Sequence, residues 1–156
     1  MTRILDMLLK LLMASCMATM VAVVTWQVVS RYVLGDPSAW TEEVARMLLI
    51  WVGLLGGAYA YRQKAHLGLD LLRQKVGPRG QGRLEMIADI SCGSFALAVL
   101  VVGGGLLVQL TWELKQTTAA LGIPMAWVYT VLPLSGVLIV YYSIVSLLSR
   151  QEQAGP

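Results

Sequence analysis

Three sets of ionisable residues in this chain have the types and spacing to do chemistry. Glu42 and Glu43 precede Arg46 by four and three residues, the reach of an ion pair along one helix face. His66, the one histidine, recurs with Asp70 and Arg73 at i, i+4 and i+7 and so shares a face with them. Glu85 and Asp89 are a carboxylate pair four residues apart. Acids at membrane depth could hold a coupling ion or a proton, and a histidine beside an acid could relay one. Each set also has a structural reading. An ion pair lets Arg46 sit close to lipid, or fixes its helix against a partner. His66 bonds to backbone or to Asp70. Arg62, Lys64 and Arg83 lie on the same side as Asp89 and could neutralise it.

Other chemistries lack their residues. One histidine supplies neither a pair of haem ligands nor a metal cluster. Cys16 and Cys92 stand in separate apolar runs without zinc-type spacing. No phosphate-binding G-x-x-x-x-G-K-[ST] loop is present, so the chain holds no ATPase of that kind. No cofactor is expected. No nucleophile or catalytic triad surrounds His66, and the chain does not read as an enzyme.

The elements that must position these residues are membrane helices. Of 156 residues 57% are hydrophobic and 13% charged, about half the charge a soluble domain carries, so lipid is the main solvent. The net charge of +3 is too small to suggest a nucleic acid partner. Four apolar runs approach the ~20 residues that cross a bilayer as a helix. The expected spans are 8–31, 43–62, 87–112 and 124–148 within one membrane domain, 1–156, of all-α class. Arg3 and Lys10 before an apolar run resemble a signal peptide, but that run continues past Cys16 to Val29, so an uncleaved first helix is expected. Nine basic residues fall on the side of both termini and the 62–84 loop, against Arg31, Arg46 and Lys115 on the other. By the positive-inside rule both termini and that loop are cytoplasmic. No ionisable residue lies in the middle of a span.

The helix ends are marked. Asp36-Pro37 offers a cap and a first-turn proline, which predicts a short interfacial turn or helix before the second span, and Thr41 is a second candidate cap. Pro124 opens the last helix and Pro133 should kink it. Trp26, Trp40, Trp112, Trp127, Tyr32 and Tyr129 fall near span ends, as interfacial aromatics do. Gly53-x-x-x-Gly57 is a small-xxx-small motif for close helix approach. Gly103-Gly104-Gly105 and Gly136 loosen the third and fourth helices. Together these glycines imply tight contacts, within the chain or with a partner.

The central stretch resembles the DctQ-type small membrane subunit of tripartite ATP-independent periplasmic (TRAP) transporters. The resemblance runs from about Arg31 to Pro133. It rests on Arg31, on Glu43-Val-Ala-Arg46, and on Trp51 with Gly56 five residues on. His66 follows, with Asp70 beyond it, then Gly122-Ile-Pro124 and Tyr129-x-x-x-Pro133. It implies a subunit of the inner (cytoplasmic) membrane beside a large membrane subunit that carries the substrate and sodium sites. A periplasmic substrate-binding protein would deliver an organic acid, a C4-dicarboxylate or a sugar acid. The small subunit would extend the fixed scaffold and help dock the binding protein. Because the sequence stops at Pro156, the large subunit is expected to be separate.

Glu43, Arg46, Trp51, Gly53, Gly56, Gly57, His66 and Asp70 are accordingly expected to be structural or partner-interface residues. Glu43 with Arg46, and His66, would clamp the two ends of the second span, about 30 Å apart along the helix. Arg46→Ala should then weaken assembly with the large subunit. The rival readings are a self-sufficient four-helix transporter acting as an oligomer and a haem-binding redox subunit.

Overall fold

The computed structural model describes residues 2–36, 38–63 and 78–154. Helix α1 (Thr2–Tyr32) is followed by α2 (Ala39–Arg62) and α3 (Pro78–Phe95). A π-helical stretch (Ala96–Gly103) carries α3 into α4 (Gly104–Glu113). The short α5 (Met125–Tyr129) and α6 (Val131–Ala154) complete the chain. Four stretches are long and apolar enough to span a bilayer: Ile4–Tyr32, Ala39–Arg62, Gly80–Glu113 and Met125–Leu148. The chain is an all-α integral membrane protein. Its exposed leucines, isoleucines and valines suit lipid or neighbouring helices, and Trp112 and Trp127 stay exposed near helix ends.

Two compact units form, one from Met1–Gly57 and Leu106–Val131, the other from Ala58–Gly105 and Leu132–Pro156. In the first, α1 turns at Gly35, whose φ of +69° suits a residue without a Cβ. A row of hydroxyls ties the end of α1 to the start of α2. Ser30 Oγ lies 3.2 Å from Ser38 Oγ, which lies 3.1 Å from Thr41 Oγ1. Thr41 corrects one expectation: it sits inside α2, fully buried, and its hydroxyl donates back to the Ser38 carbonyl at 2.7 Å. No separate interfacial helix precedes α2 among the described residues.

The second unit holds a close antiparallel seam between the third and fourth spans. A Cβ built on Gly93 would lie 2.7 Å from Ser143 Oγ, and one on Gly104 would lie 2.8 Å from Leu132 Cβ. One on Gly136 would lie 2.7 Å from Leu100 Cβ. The small residues therefore sit where backbones approach. Ala96, Ser135, Leu138 and Tyr142 are buried in the same unit. The helix that carries the third span begins at Pro78, ahead of the apolar run, because Pro78 takes a first-turn position, where its missing N–H is no loss, and Arg79 to Glu85 are helical. Pro133 lacks the N–H that would bond the Tyr129 carbonyl, and the last span breaks one turn before it, at Thr130, between α5 and α6.

Candidate functional site

The best-formed polar constellation of the first unit is built on Glu43. Its two carboxylate oxygens accept the backbone N–H groups of Ala120 at 2.7 Å and Leu121 at 3.0 Å. These amides belong to the connection before the last span, which the sequence folds into a compact turn. Thr117 and Pro124 pair across it, Thr118 N–H donates to the Ile123 carbonyl at 2.9 Å, and Met125 N–H reaches the Gln116 carbonyl at 2.8 Å. The Thr118 hydroxyl accepts from Ile123 N–H at 3.1 Å. Gly122 holds a φ of +65°, so its place in the Gly-Ile-Pro signature follows from backbone conformation. The turn aims successive N–H groups at one point, and a carboxylate fills it with charge-assisted bonds. Gly122→Ala is expected to destabilise the chain by about 1 kcal/mol, read from thermal melting, because a Cβ disfavours that φ.

Of the two carboxylates within helical reach of Arg46, Glu43 is not its partner. Arg46 instead donates to Glu42 Oε1 at 2.8 Å, across an i,i+4 step with both side chains about two-thirds exposed. Such a pair contributes a few tenths of a kcal/mol at most. A cleft of about 230 Å³ opens beside Glu43 and Arg46, with Met47, Ile50, Met125 and Val128 among its walls.

The expected partner-interface residues separate into classes. Trp51 is half-buried. Gly53, Gly56 and Gly57 have nothing within 4 Å of an added Cβ, so they mark no close approach by another described part of this chain. His66 and Asp70 lie outside the described residues.

A second polar cluster, in the other unit, surrounds Asp89. The buried Tyr61 donates its hydroxyl to Oδ1 at 2.9 Å, and Ser146 donates to Oδ2 at 2.8 Å. Ser143 donates to the Asp89 backbone carbonyl at 2.7 Å. The Arg62 guanidinium lies over the Tyr142 ring, 5.7 Å from its centre, within cation–π range. Sequence reasoning looked to basic residues for Asp89 and missed these hydroxyls. The available signal was the spacing of Ser143 and Ser146, which puts two hydroxyls on one face of an apolar helix. Both described clusters use an acid to join segments far apart in sequence.

The family model for the DctQ component of tripartite ATP-independent periplasmic transporters matches residues 20–153. The chain belongs to the DctQ family. It is 31% identical over 144 residues to the sialic acid TRAP transporter small permease protein SiaQ of Vibrio cholerae, covering 89% of this chain and 79% of the relative. It is 31% identical over 126 residues to the isethionate TRAP transporter permease protein DctMQ of Oleidesulfovibrio alaskensis, covering 76% of this chain and 20% of that longer protein. A C4-dicarboxylate TRAP transporter small permease protein DctQ of Rhodobacter capsulatus is 23% identical over 107 residues, with 69% of this chain and 47% of the relative covered. DctQ proteins are membrane components of transporters and not enzymes. The four apolar spans fit a multi-pass DctQ component.

Proposed function

We propose that this DctQ chain is the small membrane subunit of a TRAP-type secondary transporter. It works with a large membrane subunit and a periplasmic substrate-binding protein to import an organic acid, a C4-dicarboxylate or a sugar acid. It serves as scaffold, with no substrate site of its own. The observation that carries the reading is the family match over residues 20–153, which takes in the later part of the first span and all of the other three. The substrates named for the relatives, sialic acid, isethionate and C4-dicarboxylates, are all organic acids. The scaffold role draws support from the use of Glu43 and Asp89 to hold segments of the chain together.

In this proposal the protein lies in the bacterial inner membrane as one domain. Both ends and residues 62–84 face the cytoplasm, as the distribution of basic residues favours. The Glu43-held turn faces the periplasm. The open glycines of α2 and the exposed Arg46 are available to the large subunit.

The deciding experiment reconstitutes the large subunit and binding protein into liposomes with and without this chain. Organic acid uptake is expected only when all three are present, and the tagged chain should retain the large subunit in mild detergent. Uptake by this chain alone would overturn the scaffold role in favour of a self-sufficient transporter. Arg46→Ala should leave the melting temperature of the isolated chain unchanged while reducing the recovery of the large subunit. Unaltered recovery removes Arg46 from the interface.

A further inference from the structure

The third span is not α-helical throughout. Over Ala96–Gly103 it widens into π turns, and at the junction Gly104 N–H reaches the Val99 carbonyl five residues back as well as the Val101 carbonyl three back. Long π stretches are rare, since the wide turn is less favourable than an α turn and usually accommodates one extra residue. Something must hold it, and the facing helix supplies contacts before, within and after it. Gly93 meets Ser143, Leu100 meets Gly136, and Gly104 meets Leu132. The third span advances by seven and then four residues while the fourth retreats by the same steps. The middle contact is the closest to backbone. A Cβ at position 136 would lie 2.9 Å from Val101 Cγ2 and 3.0 Å from the Val101 backbone nitrogen. The wide coil therefore fits against α6 only because residue 136 has no side chain. The last contact meets Pro133, whose Cδ would lie 3.2 Å from a Cβ on Gly104.

We propose that Ala96–Gly103 is a register switch built into the third span, with Gly136 as the seat that holds its wide state. One residue of helix register is about 100° of rotation and about 1.5 Å of rise. An exchange between wide and ordinary turns, with no change in sequence, re-aims the residues that follow Gly103. The glycines at 103, 104 and 105 remove side chains that would resist the change, and the break at Thr130 with Pro133 gives the facing helix a matching weak point. The inference goes beyond the scaffold reading and stands without it, since it concerns the register of one helix within this chain.

Amide hydrogen exchange on the full chain in lipid nanodiscs tests it. Residues 97–104 are expected to exchange at least about tenfold faster than the amides of α3 and α4 on either side. Deleting Val99, which is half exposed, removes the extra residue and should slow exchange to the flanking rate. Gly136→Ala should lower the melting temperature by about 5 °C by crowding the wide coil. The double variant should recover most of that loss, because the narrower coil leaves room for the new methyl group. Exchange in the unaltered chain equal to that of its flanks overturns the switch. So does a Gly136→Ala chain that melts like the parent, or a deletion whose loss simply adds to that of Gly136→Ala. If Gly136→Ala does not fold, exchange in the parent and in the Val99 deletion still decides the question.

Discussion

Asp89→Ala is expected to destabilise the folded chain by about 2 kcal/mol. Its carboxylate accepts the hydroxyls of Tyr61 and Ser146, and its own carbonyl accepts that of Ser143. Tyr61 is buried, so its hydroxyl gains little from water when it loses its acceptor, while the bond from Ser143 to the backbone carbonyl survives the substitution. In membrane proteins a side-chain hydrogen bond between helices contributes about 0.6 kcal/mol on average and about 1.7 at most. Two such bonds, with the penalty for stranding a buried donor, give the quoted size. Thermal or denaturant unfolding in a fixed detergent measures it. The mechanism has its own control. Tyr61→Phe and Ser146→Ala introduced together with Asp89→Leu remove donors and acceptor at once. That triple variant should be more stable than Asp89→Ala. If it is less stable, the loss comes from packing and not from stranded hydroxyls.

Glu43→Ala should release the turn between α4 and α5. The amides of Ala120 and Leu121 would lose their shared acceptor, and their exchange should accelerate by about tenfold or more. Glu43→Gln keeps one carbonyl oxygen but places an NH₂ group against the other donor, so it should fall between parent and alanine. Limited proteolysis offers a second readout, with cleavage at residues 114–124 appearing in Glu43→Ala and not in Arg46→Ala. Equal protection of Ala120 and Leu121 in the parent and in Glu43→Ala would show that the turn stands on its own internal bonds.

The spans were legible because their signals are local and repeated. A bilayer demands about twenty apolar residues in a row, and prolines and glycines mark the ends. Pro124 at the start of α5 and the break before Pro133 followed directly from the missing proline N–H. The partner of Glu43 was not legible, because spacing along a helix reports only the neighbours on that helix. Arg46 stood three residues away, while the amides that bind Glu43 lie 77 and 78 residues away. Thr41 was misread for a related reason: a threonine near a helix start suits a cap, yet the row of hydroxyls from Ser30 draws it inside. The glycines divided between contacts within the chain and open positions, a choice that composition left open. Gly53 and Gly57 have the sequence motif but face open space, whereas Gly93, Gly104 and Gly136 form the seam without one. Composition marks glycines that could allow close approach, and only the facing chain selects those that do. The π stretch left no trace in the pattern, since a uniformly apolar run has no periodicity to disturb.

The hydroxyls of α1 carry a consequence for how the protein is made. Ser15 donates to the Leu12 carbonyl, Thr19 to Ser15, and Thr25 to Val21, each at 2.7–2.8 Å within the helix itself. Their polar atoms are satisfied before any other helix exists. This helix can thus partition from the translocon into lipid by itself, without waiting for other segments to shield it. Tyr61 and Ser146 depend on the Asp89 carboxylate and Ser143 on the Asp89 backbone carbonyl, so these bonds form only after all three helices have been threaded.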